Sequence, residues 1–306
     1  VFYHTICELM KADSRIVYLD ADLAGALGTA ELFEKFPGQA FDLGIMEANM
    51  VGVGAGMSIK GKIPFVHSFG PFVSRRAPDQ TFLAGCYNHA NLKILGSDPG
   101  ITAETNGGTH MPFEDMAIYC AYPNITILDV AEPYLLQEVL RQTADTYGVQ
   151  YIRFPRKEGA AYYTGKEAIR IGRGNIVKEG SDVTVIACGI QVAWALEAAE
   201  RLERENIRVR VADMFTVKPL DEELVIRCAK ETGAIVTAEN HNIHGGLGSA
   251  VAEVLAENCP VPLKRVGVQD QFGEVGRKEF LADKFGISSA FIEKAVREVL
   301  KRKETK

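Results

Sequence analysis

The sequence predicts two doubly wound α/β domains with mainly parallel sheets. Three features carry that prediction. Short β-rich runs alternate with helical segments along the chain. The runs are apolar on both faces of the pleat, as fully covered parallel strands tend to be. A polar, glycine-rich stretch at 156–182 separates the first alternating set from a second. The expected division is a first domain at 1–165 and a second at 166–306.

In the first set RIVYLD (15–20), FDLGI (41–45), IPFVH (63–67), LKILGS (92–97), ITILDV (125–130) and YIRF (151–154) read as strands. Helices are expected over 47–60, 79–91, 111–121 and 133–147, with Pro112 and Pro133 in first turns, where a missing N–H costs nothing. The second set has strands at 183–188, 208–213, 234–239 and 263–268. The helix after its first strand puts Val192, Leu196, Ala199 and Leu202 on one stripe and Glu197, Glu200, Arg201 and Arg204 away from it. Ligands of open α/β sheets bind beyond the carboxyl ends of strands. Glu47, Phe69, Ser97 and Arg156 all fall at or just past such ends, which predicts one shared rim.

Composition narrows the function classes. The chain has 306 residues, 47% hydrophobic and 24% charged, enough for two cores. A net charge of −6 without a basic stretch argues against a nucleic-acid surface. No apolar run is long enough to cross a bilayer, and the start lacks a signal-peptide layout. The first residue is Val1, so the numbering reads as starting inside the natural chain. Six scattered cysteines, none in a CxxC, read as buried thiols in a reducing cytoplasm. His67, His89 and His110 lack metal-ligand spacing and cysteine partners.

Four stretches could carry chemistry. In GIMEANMVGVGAGM (44–57), Glu47 sits where a strand hands over to a helix of small residues. It is either a helix-start acid that settles the dipole or a partly buried carboxylate placed to share a proton with a ring nitrogen. Behind it, Ala48, Gly52, Ala55 and Gly56 suit a tight helix contact, and GVGAG lies inside the helix rather than in the turn a dinucleotide fingerprint needs. In VHSFGPFVSRRAPDQ (66–80), Phe69 and Phe72 could stack on a flat ligand or pack under the next helix, and Arg75 and Arg76 could meet an anion or solvent. In ETNGGTHMPFED (104–115), two glycines lead to His110, which could move protons near neutral pH or simply bond backbone. His241 and His244, near GGLG, read as structural or interface residues.

The order GIMEANM, FVHSFGPFVSRR, GSDPG, NGGTHMPFED, FPR and then ENHNIHGGLG resembles the transketolase family over almost the whole chain, specifically its pyrimidine-binding and C-terminal domains. The resemblance implies thiamine diphosphate chemistry. The acid matching Glu47 would bond N1′ of the aminopyrimidine, favouring the imino tautomer that deprotonates the thiazolium C2 carbon for attack on a ketose. Phe72 would stack on the aminopyrimidine with Phe69 beside it; Asp22 matches a cofactor-side acid, and Arg75 an arginine at this place in deoxyxylulose-phosphate synthases. His110 matches a histidine lining the donor site, and Arg156 an arginine that holds a sugar phosphate.

Departures bear on the substrate. Ser97 stands where typical transketolases have a substrate histidine, Asn106 replaces an acid that reads donor hydroxyls, and Ala26 replaces a phosphate-binding serine. A xylulose-5-phosphate donor of pentose phosphate metabolism, or a modified ketose, is expected. The GDG motif that holds the diphosphate and its Mg²⁺ or Ca²⁺ in this family does not occur. The chain therefore resembles the C-terminal subunit of a split transketolase. It would need an N-terminal subunit to supply the diphosphate and metal site, and the expected assembly is an α2β2 heterotetramer. The alternatives are half of a deoxyxylulose-phosphate synthase, an E1 β subunit of a 2-oxoacid dehydrogenase, and a non-catalytic binding module that kept the fold.

Overall fold

A computed structural model describes residues 1–157 and 159–304. It contains two sheets. The first is built from β1 (Ile16–Asp20), β2 (Ala40–Asp42), β3 (Ile63–Phe69), β4 (Leu92–Ser97), β5 (Ile125–Asp129) and β6 (Val149–Phe154), all parallel, in the order β5-β6-β4-β3-β1-β2. The second is built from β7 (Asn175–Lys178), β8 (Val183–Ala187), β9 (Val209–Asp213), β11 (Ile235–Asn242) and β12 (Leu263–Val268), in the order β12-β11-β8-β9-β7, with β7 antiparallel at its edge. The remaining strand, β10 (Thr216–Lys218), follows β9 in sequence yet pairs antiparallel with β5 of the first sheet.

The central strands β1, β3, β4 and β6 are buried at every residue. Their apolar side chains meet helices on both faces, as the two-faced apolar runs predict. Strand β2 stops earlier than expected because Gly44 turns at φ +74 and Asp42 Oδ1 accepts from the Gly44 N–H at 2.9 Å. The expected 79–91 helix is a short turn at Pro78–Gln80 continued by a π-helical Thr81–Tyr87. Pro133 opens its helix as predicted, with the Glu132 carboxylate accepting from Leu135 N–H at 2.6 Å. Pro112 does not, because that helix begins at Asp115. The sequence pattern missed the Phe2–Ala12 helix and the short strands β7 and β10.

The predicted boundary at 165/166 falls in the segment between β6 and β7. That segment is anchored: Tyr162 and Tyr163 both donate to Asp213 Oδ2, at 3.0 and 2.9 Å. The two halves also share a buried ionic cluster. The Arg153 guanidinium lies 3.0 Å from Asp115 Oδ2 and 3.2 Å from Asp129 Oδ2, and donates to the Asn240 carbonyl at 3.1 Å. All three charged side chains are within 2% of complete burial. Removing the cation alone leaves two carboxylates buried without their partner. Arg153→Leu is expected to lower stability by about 3–5 kcal/mol, measured by urea unfolding of the chain.

Candidate active site

Strand β3 ends at Phe69, and Pro71 in the next turn fixes the start of the Gly70–Arg76 helix. This abrupt strand-to-helix change presents Ser68, Phe69, Phe72 and Arg76 beside the start of the Glu47–Ile59 helix. Glu47 is the first residue of that helix and is 2% exposed. The Ser68 hydroxyl donates to Glu47 Oε1 at 3.0 Å. One Arg76 nitrogen donates to Oε1 and Oε2 at 2.9 and 3.1 Å. The same guanidinium lies 4.1 Å from the centre of the Phe72 ring. Phe72 and Arg76 are four apart on one helix, so they share a face.

The rim continues from Phe72. The Phe69 ring is 5.8 Å from that of Phe72, and the His110 ring stands edge-on to both, at 6.0 and 5.0 Å. The Arg156 guanidinium covers Phe69 at 4.9 Å and pairs with Asp98 Oδ2 at 2.5 Å. Glu47, Phe72, Phe69, His110 and Arg156 therefore form one continuous surface. Burial pushes the His110 imidazole below its ordinary value; Arg156, Arg76 and Arg75 push the same way, and Asp98 opposes them. Burial pushes the Asp98 carboxyl up, against the pull of Arg156.

Four expected residues are placed differently. Arg75 does not reach Glu47. It pairs with Glu114 and donates to the Thr109 and Met111 carbonyls at 3.1 and 3.2 Å, tying down the segment around His110. Ser97 lies at the rim strand's end but has no exposed surface, and its hydroxyl is 3.0 Å from His67 Nε2. In the chain alone Ser97 therefore faces the strand interior beneath the rim. Asp22 is exposed at φ +62, its N–H donating to Asp42 Oδ1 at 3.1 Å. Asn106 is exposed at the end of the Gly100–Asn106 3₁₀ segment.

Behind Ser97 runs a chain that sequence reasoning did not find. His67 Nδ1 is 2.7 Å from Asp20 Oδ2, and the Tyr18 hydroxyl donates to that oxygen at 2.6 Å. Serine, histidine and aspartate in this order could suggest a hydrolase, but all three are fully buried. They form a polar frame under the rim. Asp20 and His67 sit directly opposite on β1 and β3, a pairing visible only once the strand order is known. Arg76 could have been chosen over Arg75 from its four-residue spacing to Phe72.

Among the described residues, no group of three or more His, Cys, Asp or Glu side chains could hold a metal ion. The six cysteines are free thiols. No described helix is long and apolar enough to cross a membrane.

Two mainly parallel α/β domains carry a buried acid and a ring cluster at the strand ends of the first. Residues 1–160 match the transketolase pyrimidine-binding domain and residues 172–292 the transketolase C-terminal domain. The chain belongs to the transketolase family. It is 48% identical over 298 residues to the 6-deoxy-6-sulfo-D-fructose transketolase subunit SqwH of Clostridium sp. (strain MSTE9), covering 97% of this chain and 92% of that one. It is 38% identical to a putative transketolase C-terminal section of Methanocaldococcus jannaschii, covering 97% and 94%. A solved structure described as a split gene transketolase, inactive beta4 tetramer, superposes with a TM-score of 0.91 at 39% identity, covering 98% and 97%. The chain takes its place with the C-terminal subunits of split transketolases, which are transferases. Deoxyxylulose-phosphate synthases and E1 β subunits are more distant.

The family implies thiamine diphosphate, and the residues present fit its aminopyrimidine. The fit is visible in Arg76. A planar, N–H-bearing cation already rests on the Phe72 ring and bonds both Glu47 oxygens, which is what a protonated aminopyrimidine would ask of the same two residues.

The electrostatics of the rim give a direct test. Arg156→Ala removes a cation that lowers His110, and this favours the imidazolium. NMR titration of the chain should place His110 below the ordinary value of about 6.5, and the variant should raise it.

Proposed function

We propose that this chain supplies the pyrimidine side of a thiamine diphosphate site. An N-terminal subunit would hold the diphosphate and its Mg²⁺ or Ca²⁺, so that the coenzyme lies across the interface of a cytoplasmic α2β2 assembly. The pair transfers a two-carbon ketol unit from a ketose to an aldose. When bound, thiamine diphosphate supplies the nucleophilic carbon and the electron sink for carbon–carbon cleavage. The observation that carries the reading is the buried Glu47 carboxylate, bonded by Ser68 and facing a ring-stacking phenylalanine.

Each residue has a task set by its position. Glu47 holds the proton at N1′, and Ser68 fixes which carboxylate oxygen points to it. Phe72 takes the pyrimidine face that Arg76 covers here, so Arg76 swings toward solvent, where its side chain is already 45% exposed. Phe69 closes the same face from the strand end. His110 is neutral near pH 7, because burial and three cations lower it, and so exchanges hydrogen bonds with donor hydroxyls rather than serving as a fixed charge. Asp22 lies on the exposed coenzyme side, and Asn106 on the exposed edge of the donor loop. Arg75 steadies the donor-side segment around His110.

Arg156 receives the anionic end of the donor. It is oriented by Asp98, and its side chain remains 26% exposed. With Ala26 in place of a phosphate-binding serine of the family, one donor fewer is available to that end. That suits a monoanionic sulfonate better than a phosphate, which carries a charge of about −1.5 to −2 at neutral pH. The similarity to a 6-deoxy-6-sulfo-D-fructose transketolase subunit supports the same donor class. The assembled pair should therefore show a higher kcat/KM with 6-deoxy-6-sulfofructose than with fructose 6-phosphate. The reverse order refutes the sulfonate assignment. Glu47→Gln should lower turnover about 100-fold or more, with the unfolding midpoint of the chain little changed. Steady-state rates with the better donor measure this, and retained turnover would remove Glu47 from its role.

A further inference from the structure

The second domain reaches the rim through Asn240. This residue lies on β11, is 1% exposed, and uses its whole side-chain amide on the segment that leaves β4. Its Nδ2 donates to the Pro99 carbonyl at 2.8 Å, and its Oδ1 accepts from Ile101 N–H at 3.1 Å. A backbone carbonyl only accepts and a backbone N–H only donates, so the two bonds fix the amide orientation. The fit is close. A Cβ on Gly100 would lie 2.2 Å from Asn240 Oδ1.

The segment needs such a tie. Asp98 and Glu104 hold left-handed backbone at φ +59 and +49, which non-glycine residues rarely adopt unless their surroundings impose it. Ile101, Ala103, Met111 and Phe113 belong to the core cluster of the second domain rather than the first. Further along, a Cβ on Gly108 would lie 2.1 Å from the Gly273 carbonyl oxygen. The stretch from Asp98 to His110 is thus moulded on the second domain, although its chain belongs to the first. Asn240 is itself held from behind, because Arg153 donates to its carbonyl at 3.1 Å.

We infer that Asn240 is a positioning residue for the ketose donor: it sets Asp98, which orients Arg156, and with the second-domain core it sets His110. The inference rests on the transketolase reading above and extends it by giving the second domain a part in donor binding. The coenzyme residues Glu47 and Phe72 lie outside this tether, on elements held by Ser68 and the β3 turn. Asn240 should therefore affect the donor without affecting thiamine diphosphate.

The test uses Asn240→Leu, which keeps the size and removes both bonds, and Gly100→Ala, which disturbs the same contact from the loop side. In the pair assembled with its N-terminal subunit, each variant should raise the donor KM about tenfold. The affinity for thiamine diphosphate with Mg²⁺ should stay within about twofold. Hydrogen exchange on the isolated full chain supplies a readout without catalysis: peptides spanning 97–110 should exchange faster in both variants, while those spanning 47–60 and 183–188 should not. If Asn240→Leu loosens the whole chain, Gly100→Ala decides. Unchanged exchange at 97–110, or a loosened loop with an unchanged donor KM, overturns the inference. A wild-type pair without ketol transfer overturns the activity reading instead, and the exchange result then still decides whether the tether exists.

Discussion

A carboxylate almost sealed from water must be compensated where it stands, and Glu47 is compensated from three directions. The Glu47–Ile59 helix begins at this residue, so the positive end of the helix dipole lies on its side. Ser68 donates from the end of β3, and Arg76 donates from the helix that follows. Those requirements shape the neighbourhood. The strand must end and turn at once for Ser68 and Arg76 to converge, and Pro71 at the first helical turn makes that change abrupt. The helix behind Glu47 must also lie close to the sheet. Gly54 permits it, since a Cβ there would be 2.8 Å from Leu92 Cδ1 and 2.9 Å from Val66 Cγ1. Gly54 lies outside the stripe of Ala48, Gly52, Ala55 and Gly56 read as a tight helix contact, and its role is packing within the chain.

Much of the fold was legible because covered parallel strands announce themselves. Runs such as LKILGS are apolar at successive positions, and their carboxyl ends mark where ligands gather. That reasoning found Glu47, Phe69, Phe72, His110 and Arg156, which the structure brings into one surface. It missed what depends on which strands are neighbours. Asp20 and His67 are 47 residues apart, and nothing local marks them as partners. β10 is three residues long, too short for a periodic signal. The choice between Arg75 and Arg76 turned on side-chain direction within one helical turn, which spacing to Phe72 could have resolved.

The rim arranges charge by distance from the acid. At one end a buried carboxylate faces a ring, and at the other a half-buried arginine is steadied by a carboxylate whose affinity for protons burial has raised. Between them His110 is kept from charging by the cations around it. A ligand with a cationic ring and a distant anionic tail matches that gradient from end to end. The two ends also rest on different supports: the His110 end on a loop packed against the second domain, the Glu47 end on helix and strand termini of the first.

Strand β10 has a further consequence. It leaves the second half of the chain to hydrogen-bond with β5, and Lys218 at its end donates to the carbonyls of Cys120 and Tyr122 at 2.8 and 2.6 Å. The edge of the first sheet at β5 is therefore finished by residues that come about 90 positions later. On the ribosome, the leading half emerges with that margin bare and waits for its own distant cousin to close it. Until then it is a ready template for a neighbouring nascent polypeptide.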